Sequence, residues 1–422
     1  MLKNIIENKY SVYILASIIP FLAISIFISD LIFSFYSLLF LFYAIKNKFS
    51  FIHKNKFYLL FLCFYFTMIL SSLFSDNILH SLKSSIFFIR VFFFIGLISY
   101  LIEQKPIIKE IFYKFLFITF FVVILFGLIQ FFILHSSQEL SSIPNLRLKL
   151  FMTDKLKLGS YLSRLYGLLF ALYIFRNSKS KYENWLFFLL TVLVVITVFL
   201  SGERTSFFFI VLFLFLAFFL LDNFSLKIKL FAIFSILFFI SIFSIYFDRV
   251  KTRMFYDDNN KIQISKNKDK IIIFTPEHTR HYVITYKMFI DKPFLGHGPG
   301  MFRFVCAYDK YNDNKDKAGC STHPHNNYLQ LLAETGIFGF LFLIIFLVYV
   351  LYFIFKKLVN NIFSKKKYQN NYYCVTLILA IFVNLWPFSP SGNFFNNWLL
   401  IVYTLPLAFY IGEFFNKNLI KK

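Results

Sequence analysis

Apolar residues are gathered in long blocks that charged or Pro/Asn/Ser-rich clusters separate. A helix needs about 20 apolar residues to cross the hydrocarbon core of a bilayer. The pattern therefore predicts an all-α integral membrane protein with about twelve transmembrane helices. The predicted spans lie near residues 11–29, 31–45, 57–74, 86–102, 115–134, 160–175, 184–200, 205–221, 228–247, 338–355, 371–386 and 396–412, of which 31–45 and 160–175 are short.

The first apolar block does not have the pattern of a cleaved signal peptide. The sequence from Ser11 lacks a small-residue cleavage site and runs directly into a second predicted span. We expect it to be retained as the first transmembrane helix.

Composition changes the picture by adding a large positive charge. The chain has 422 residues, of which 59% are hydrophobic and 66 are Phe, yet its formal net charge is +23. This apolar fraction exceeds that of ordinary soluble enzymes, and a chain this apolar cannot stay disordered in water. How these cations are distributed between the two faces of the membrane is therefore informative about function.

Half of the cations are explained by membrane orientation. Lys and Arg are enriched in the cytoplasmic loops of membrane proteins. With twelve spans, one face collects 22 of the 44 cations, in the two termini and in the loops near 46–56, 103–114, 176–181, 227–229 and 356–367. We therefore expect both termini in the cytoplasm. Since these cations follow the orientation rule, they give little support to nucleic-acid binding.

Three arginines lie inside or at the edge of apolar blocks, at Arg90, Arg164 and Arg204. All three fall toward the predicted outer face. Ionisable residues in spans are functional candidates, although a long side chain near a helix end also reaches the headgroups by snorkelling. A flippase or transporter would more often place charges at mid-depth and show internal repeats. The outer clustering therefore favours a site at the outer face over a transport pathway.

Residues 248–337 form a long outer segment that divides into three parts: a polar stretch, an amphipathic helix with a glycine-rich turn, and a His-rich loop that leads into a short helix. Residues 248–275 show no clear periodicity and are interpreted as a variable or structural loop. After Arg280, apolar residues follow a helical stripe. Asp291-Lys292-Pro293 should end that helix, because the residue before proline disfavours helix.

Three histidines follow in the outer segment, at positions 297, 323 and 325, and they raise the question of zinc. The spacing of a catalytic zinc motif is missing, and the sequence also lacks the Asp-x-Asp pair of metal-dependent sugar transferases. We therefore expect no metal and no cofactor. A short apolar helix, a glycine break and the tenth span should come after the His-rich loop.

Four cysteines divide between two environments. Cys63 and Cys374 lie in apolar blocks and are interpreted as packing residues. Cys306 and Cys320 share the outer segment, where the compartment is oxidising. We expect them to form a disulfide rather than two free thiols. A loop of about 15 residues closed in this way is stabilised by roughly 3 kcal/mol in the chain-entropy model.

The His-rich loop and the start of the tenth predicted span resemble a known protein family. His325-Asn326, nine residues, and then Gly336-x-x-Gly339 match the signature of the bacterial O-antigen ligase/polymerase family. The turn at Arg204 and the stretch from Arg280 through His297 are similar to that family as well. A large loop between spans nine and ten, containing short helices, agrees with its layout. The resemblance implies three parts: N-terminal spans over 1–200, a ligase-like domain over 201–355 with the periplasmic loop 248–337, and C-terminal spans over 356–422.

The resemblance also implies an activity. Family members move a glycan from a polyprenyl (undecaprenyl) pyrophosphate carrier to a hydroxyl acceptor at the periplasmic face of the bacterial inner membrane. A ligase uses lipid A–core as the acceptor in lipopolysaccharide biosynthesis, and the motif here is closest to ligases. An O-antigen polymerase and a protein O-oligosaccharyltransferase stay open as alternatives.

The residue types fit that chemistry. His325 is the candidate catalytic base, since an imidazole titrates near neutral pH. Arg204 and Arg280 are the first candidates for binding pyrophosphate, and Arg90 and Arg164 are the second, because guanidinium groups bind phosphate through two hydrogen bonds. A single displacement with inversion is expected. Glu203 keeps a retaining mechanism open, because it is a carboxylate close to the candidate site.

Overall fold

The structure is a computed structural model that describes residues 2–136, 147–151, 157–176, 180–222, 224–255, 276–312, 319–363 and 371–420. Within these ranges the structure contains helices and no strands, so the all-α prediction is confirmed. The elements are α1 Leu2–Glu7, α2 Lys9–Ala16, α3 Ile18–Ile24, α4 Ile26–Lys46, a 3-10 turn Ile52–Lys54, α5 Lys56–Leu73, α6 Ile78–Ile86, α7 Ile89–Gln104, α8 Ile107–Ser136, α9 Leu158–Phe175, α10 Lys181–Leu200, α11 Arg204–Leu220, α12 Leu226–Tyr246, α13 Asp248–Phe255, α14 Pro276–Asp291, α15 Phe302–Val305, α16 Asn327–Phe363, α17 Tyr372–Asn384 and α18 Asn397–Ile420.

Eight stretches of the described chain are helical, long and apolar enough to cross a membrane. Three shorter apolar helical segments, Lys9–Ile24, Arg204–Leu220 and Tyr372–Asn384, accompany them. The two short blocks of the sequence, near 31–45 and 160–175, are both among the eight. The protein is thus an all-α membrane protein, whereas the count of twelve spans and the orientation stay predictions.

Polar residues at the first turns explain several helix starts. The Ser180 hydroxyl accepts a hydrogen bond from the Glu183 backbone N–H at 3.1 Å, and the Glu183 carboxylate accepts from the Ser180 N–H at 3.1 Å. This reciprocal capping satisfies two backbone donors that a helix start leaves open. Asn77 and Asn371 cap α6 and α17 through their side-chain oxygens. Short polar residues between apolar blocks therefore set where the helices begin.

The centre of the bundle is formed by α7, α9, α17 and α18, which pack against one another and carry few exposed residues. Tyr161 and Tyr166 of α9 are fully buried, and so is Leu377 of α17. By contrast, α12 has no buried residue and lies at the periphery, against α10 and α13. A helix that is apolar all round and exposed all round is suited to a lipid environment.

Several element boundaries differ from the predictions. The first block is not one helix: it divides at Ser17 into α2 and α3, and the next helix begins at Ile26 instead of residue 31. The amphipathic α6 precedes α7 and was not predicted. Residues 248–255, interpreted as loop, form α13, while the rest of that stretch, 256–275, lies outside the described residues. Boundaries of this kind depend on packing that periodicity does not record.

The outer segment docks on the beginning of α16, where Gly336 interrupts the helix. Gly336 has φ 63° and ψ −164°, a backbone conformation that only glycine adopts readily. The Ile337 N–H donates to the Pro293 carbonyl at 2.8 Å instead of continuing the helix. The predicted glycine break is thus present, and α14 ends at Asp291 as the proline predicted.

Gly336→Ala should destabilise the protein far more than Gly392→Ala. A Cβ at position 336 would collide with the Phe294 backbone and force a strained φ, at a cost of about 1–3 kcal/mol for the strain alone. A Cβ at position 392 would meet the terminal methyl group of the Leu399 side chain, which can rotate away, and Gly392 does not have a positive φ. Thermal unfolding of the two purified variants measures the difference. Equal melting temperatures would show that the break at Gly336 is not required.

Candidate functional site

His325 lies at the start of α16, in a position fixed by its neighbour. The Asn326 side-chain oxygen caps α16 by accepting from the Tyr328 and Leu329 N–H groups at 3.0 and 3.1 Å. Its amide donates to the Pro387 carbonyl at 2.8 Å. His325 itself has φ 58°, a left-handed conformation uncommon for a residue with a side chain. The Asn after the His therefore has a physical role: it holds the turn that presents the imidazole.

Four histidine rings meet at this turn. The His325 ring centroid lies 4.2 Å from that of His323, 5.3 Å from that of His281 and 5.5 Å from that of His278. His278 and His281 are one helical turn apart on α14, so they share a face. No group of three or more His, Cys, Asp or Glu side chains in the described ranges is arranged to hold a metal ion. The sequence did not predict this cluster, because it spans two distant segments.

Burial holds the imidazoles of His325 and His323 neutral. It lowers the pKa of His325 to about 4, with smaller contributions from His281 and His278. Burial likewise lowers the pKa of His323 to about 3. At neutral pH both rings are therefore uncharged, and a neutral imidazole has one nitrogen able to accept a proton. These two rings therefore have the protonation state that a general base requires.

The predicted disulfide partners stand beside this cluster. Cys306 and Cys320 are joined by a disulfide. The carbonyl of the preceding residue, Gly319, lies 2.6 Å from His281 Nδ1, which assigns a proton to that nitrogen. The disulfide thus closes the loop that fixes the tautomer of one ring in the cluster.

Arg280 lies on α14 between the two histidines of that helix and is exposed. The Gly319 backbone contacts His281 and also lies beside Arg280, because a Cβ placed on Gly319 would come within 2.9 Å of the Arg280 Cβ. Arg280 therefore lies at the edge of the histidine cluster. The structure therefore brings together His325 and the helix that carries Arg280.

Arg204 has a different set of contacts. It is exposed at the start of α11, and its Nε donates to the Arg253 carbonyl at 2.8 Å. Arg253 in turn donates through Nε to the Gly202 carbonyl at 3.3 Å. These reciprocal bonds attach α13 to the arginine turn.

Glu203, beside Arg204, has a structural role. Its carboxylate accepts from the Gly159 and Ser160 N–H groups at 2.8 and 3.0 Å, and also from the Ser206 hydroxyl at 2.9 Å. It thereby satisfies the backbone donors at the start of α9. A carboxylate occupied in this way is poorly placed to act as a nucleophile.

Arg164 is buried at the centre of the bundle. Its Nη1 donates to the Asn384 side-chain oxygen at 3.2 Å, and its guanidinium lies over the Tyr403 ring at 5.6 Å. The Tyr403 hydroxyl accepts from the Asn327 amide at 3.1 Å. Arg164 is therefore connected through Tyr403 to Asn327, the first residue of α16.

Arg90 lies in a separate polar network. Its Nη1 is 2.8 Å from both an Asp30 carboxylate oxygen and the Ser34 hydroxyl, and its Nη2 donates to the Asn397 side-chain oxygen at 2.9 Å. This network forms one wall of a cavity of about 760 Å³. Lys83 and Arg303 also line it. Neither was a sequence candidate, since no motif marks them and only the fold brings them to Arg90.

Replacing Cys306 and Cys320 by Ser should lower the stability of the outer segment. A sequence separation of 14 corresponds to roughly 3 kcal/mol of stabilisation in the chain-entropy model. Thermal unfolding with and without a reductant measures this, and the wild type with reductant should match the double variant. Cys63→Ser is the control, because Cys63 is an exposed free thiol. An unchanged melting temperature in the double variant would contradict the predicted contribution.

Residues 188–344 match a family model described as O-antigen ligase, and no curated protein matches the chain. The match runs from α10 into α16. It contains Arg204, Arg280, Cys306 and Cys320, the His325-Asn326 pair and both motif glycines, whereas Arg90 and Arg164 precede it. The predicted resemblance is confirmed over residues 188–344, where the sequence matches the O-antigen ligase family.

Proposed function

We propose that this membrane protein transfers a glycan from an undecaprenyl pyrophosphate carrier to a hydroxyl acceptor at the periplasmic face of the inner membrane, with lipid A–core as the acceptor. The family match supports a glycan-transferring membrane enzyme. The observation that carries the finer proposal is the neutral imidazole of His325, presented by the motif Asn beside the helix that bears Arg280.

The chemical step needs one base and one cationic surface. The acceptor oxygen attacks the anomeric carbon while the bond from that carbon to the pyrophosphate oxygen breaks. The leaving pyrophosphate takes the bonding electrons, and the acceptor proton passes to the free ring nitrogen of His325. A single displacement inverts the anomeric configuration. Glycosyl transfer passes through an oxocarbenium-like transition state, so a weak base that accepts the proton late is sufficient.

Positive charge near the leaving group stabilises the transition state. Arginines keep their charge and offer paired donors to phosphate, and positioned cations can provide this stabilisation without a metal. Arg280 is the first candidate because it precedes His281, whose ring lies 5.3 Å from that of His325, and Arg204 is proposed from its place in the family domain. Arg90 and Arg164 are proposed as further donors, through the cavity and through Tyr403 respectively.

His325→Asn and His325→Ala should each lower glycan transfer at least about 100-fold, because proton transfer by a positioned side chain contributes that much or more. Asn tolerates the left-handed φ of this position, so it removes the imidazole without adding backbone strain. Arg204→Ala and Arg280→Ala should also abolish transfer while expression persists. Transfer is measured with lipid-linked glycan and purified protein in liposomes.

The control for these variants is His53→Ala, an exposed histidine in the 3-10 turn before α5. It should transfer at the wild-type rate. Wild-type transfer by His325→Asn would show that His325 is not the base. Product analysis separates the acceptors: glycan on lipid A–core indicates a ligase, longer chains on the carrier a polymerase, and glycan on protein an O-oligosaccharyltransferase.

The pH profile should show the lowered pKa of His325. Because the pKa lies below its ordinary value, the imidazole stays unprotonated as pH falls, and kcat/KM should decline only as pH approaches about 4. His281→Asn removes a neighbour that helps lower this pKa, so the acid limb should move to higher pH. A wild-type acid limb near the ordinary histidine pKa, unmoved by His281→Asn, would contradict the neutral-cluster interpretation.

A further inference from the structure

The cavity beside Arg90 has features of a binding site. It measures about 760 Å³ and lies between α4, α6, α7, the beginning of α15 and the loop before α18. Three cations, Lys83, Arg90 and Arg303, line it together with one carboxylate, Asp30. Since Asp30 is already paired with Arg90 at 2.8 Å, the cavity keeps an excess of positive charge. An excess of this kind is complementary to an anionic ligand.

Arg303 connects this cavity to the histidine cluster. It lines the cavity, and its charge is also close enough to His323 to contribute, after burial and the neighbouring rings, to the lowered pKa of that imidazole. Glu334 of α16 fixes the start of α15, the helix that carries Arg303, because its carboxylate accepts a hydrogen bond from the Phe302 N–H at 2.9 Å. Gln330, one turn before Glu334, bonds Asn393 of the cavity wall at 3.0 Å. One helix therefore supports both the motif histidine and the cavity.

The other side of the cavity is apolar and opens outward. Leu38 and Phe87 line it, and their exposed fractions are 50% and 61%. They lie on α4 and just after α6, next to helices long and apolar enough to span a membrane. A charged interior with an apolar, exposed flank suits a ligand that carries phosphate on a lipid anchor. A free sugar would leave that flank unused.

We propose that this cavity binds the phosphate-bearing head of a lipid-anchored substrate, with Arg303 and Lys83 as contacts that no sequence motif marks. The proposal rests on the proposed function for the existence of such a substrate. Two lipids in that reaction carry this chemistry: the polyprenyl pyrophosphate of the donor and the phosphorylated lipid A of the acceptor. The cations would hold the head group at the cavity, and Arg303 would place it next to the histidine cluster.

The test measures lipid binding without any transfer. Purified wild type, Lys83→Gln, Arg303→Gln and the double variant are titrated in detergent with glycan-free polyprenyl diphosphate and, separately, with phosphorylated lipid A. Both side chains are exposed, so their replacement should leave the melting temperature unchanged. We expect the double variant to bind at least one of the two lipids at least tenfold more weakly than the wild type.

Lys310→Gln is the matched control. Lys310 is another exposed cation of the outer segment, but it pairs with Asp291 at 2.8 Å and does not line the cavity. It should bind both lipids as the wild type does. Weakened binding of the diphosphate assigns the cavity to the carrier, and weakened binding of phosphorylated lipid A assigns it to the acceptor.

Wild-type affinity of the double variant for both lipids would overturn the proposal, and so would equal weakening by Lys310→Gln. The catalytic proposal is tested separately, because His325→Asn should keep lipid binding while losing transfer. If His325→Asn transfers normally and the cavity variants still lose lipid binding, the mechanism is wrong and the site is right.

Discussion

The backbone pairing between the outer segment and the start of α16 is the constraint on which the whole site depends. In an unbroken helix, the carbonyl of residue 333 would accept from the N–H of residue 337. Here the Ile337 N–H is directed to Pro293, so the Ala333 carbonyl accepts from the His297 N–H at 3.0 Å. The Glu334 carbonyl accepts from the Gly298 N–H at 2.8 Å in the same way. The glycine break therefore frees the Ala333 carbonyl from the helix, and the carbonyls of residues 333 and 334 together attach the outer segment.

That attachment extends into the side chains. Glu334 is fully buried, and a buried carboxylate is costly unless hydrogen bonds satisfy it. It accepts from the Phe302 N–H at 2.9 Å and from the Gln330 amide at 3.0 Å. The same Gln330 accepts through its oxygen from the Phe394 N–H at 2.9 Å. The energetic need to satisfy one carboxylate thus determines the positions of the glycine-rich turn, of α15 and of the loop before α18.

The sequence predicts the parts of this molecule that local pattern determines. Long apolar blocks predicted the all-α membrane fold, and Pro293 predicted the end of α14. The spacing of the His-Asn pair and the glycines indicated the family whose model matches residues 188–344. The division at Ser17 and the amphipathic α6 were missed, because both are decided by packing among helices. The histidine cluster and the cavity were missed for a related reason. His278 and His325 lie 47 positions apart, and Arg90 and Arg303 lie farther apart still, so no local window contains either pair.

The candidate site separates neutral imidazoles from charged guanidinium groups, and this separation suits the proposed reaction. In the proposed transfer, a base must be unprotonated when the acceptor arrives, whereas a pyrophosphate needs permanent cations. If the four histidines were charged, they would attract the anion but could not accept a proton. Burial lowers the pKa of His325 and His323, while the arginines keep their charge at the edge of the cluster and in the cavity. An anion bound beside these rings would raise their pKa, because a nearby negative charge favours the imidazolium form. The base would therefore become stronger as the donor binds, and the substrate itself would bring His325 toward the protonation range in which proton transfer is effective.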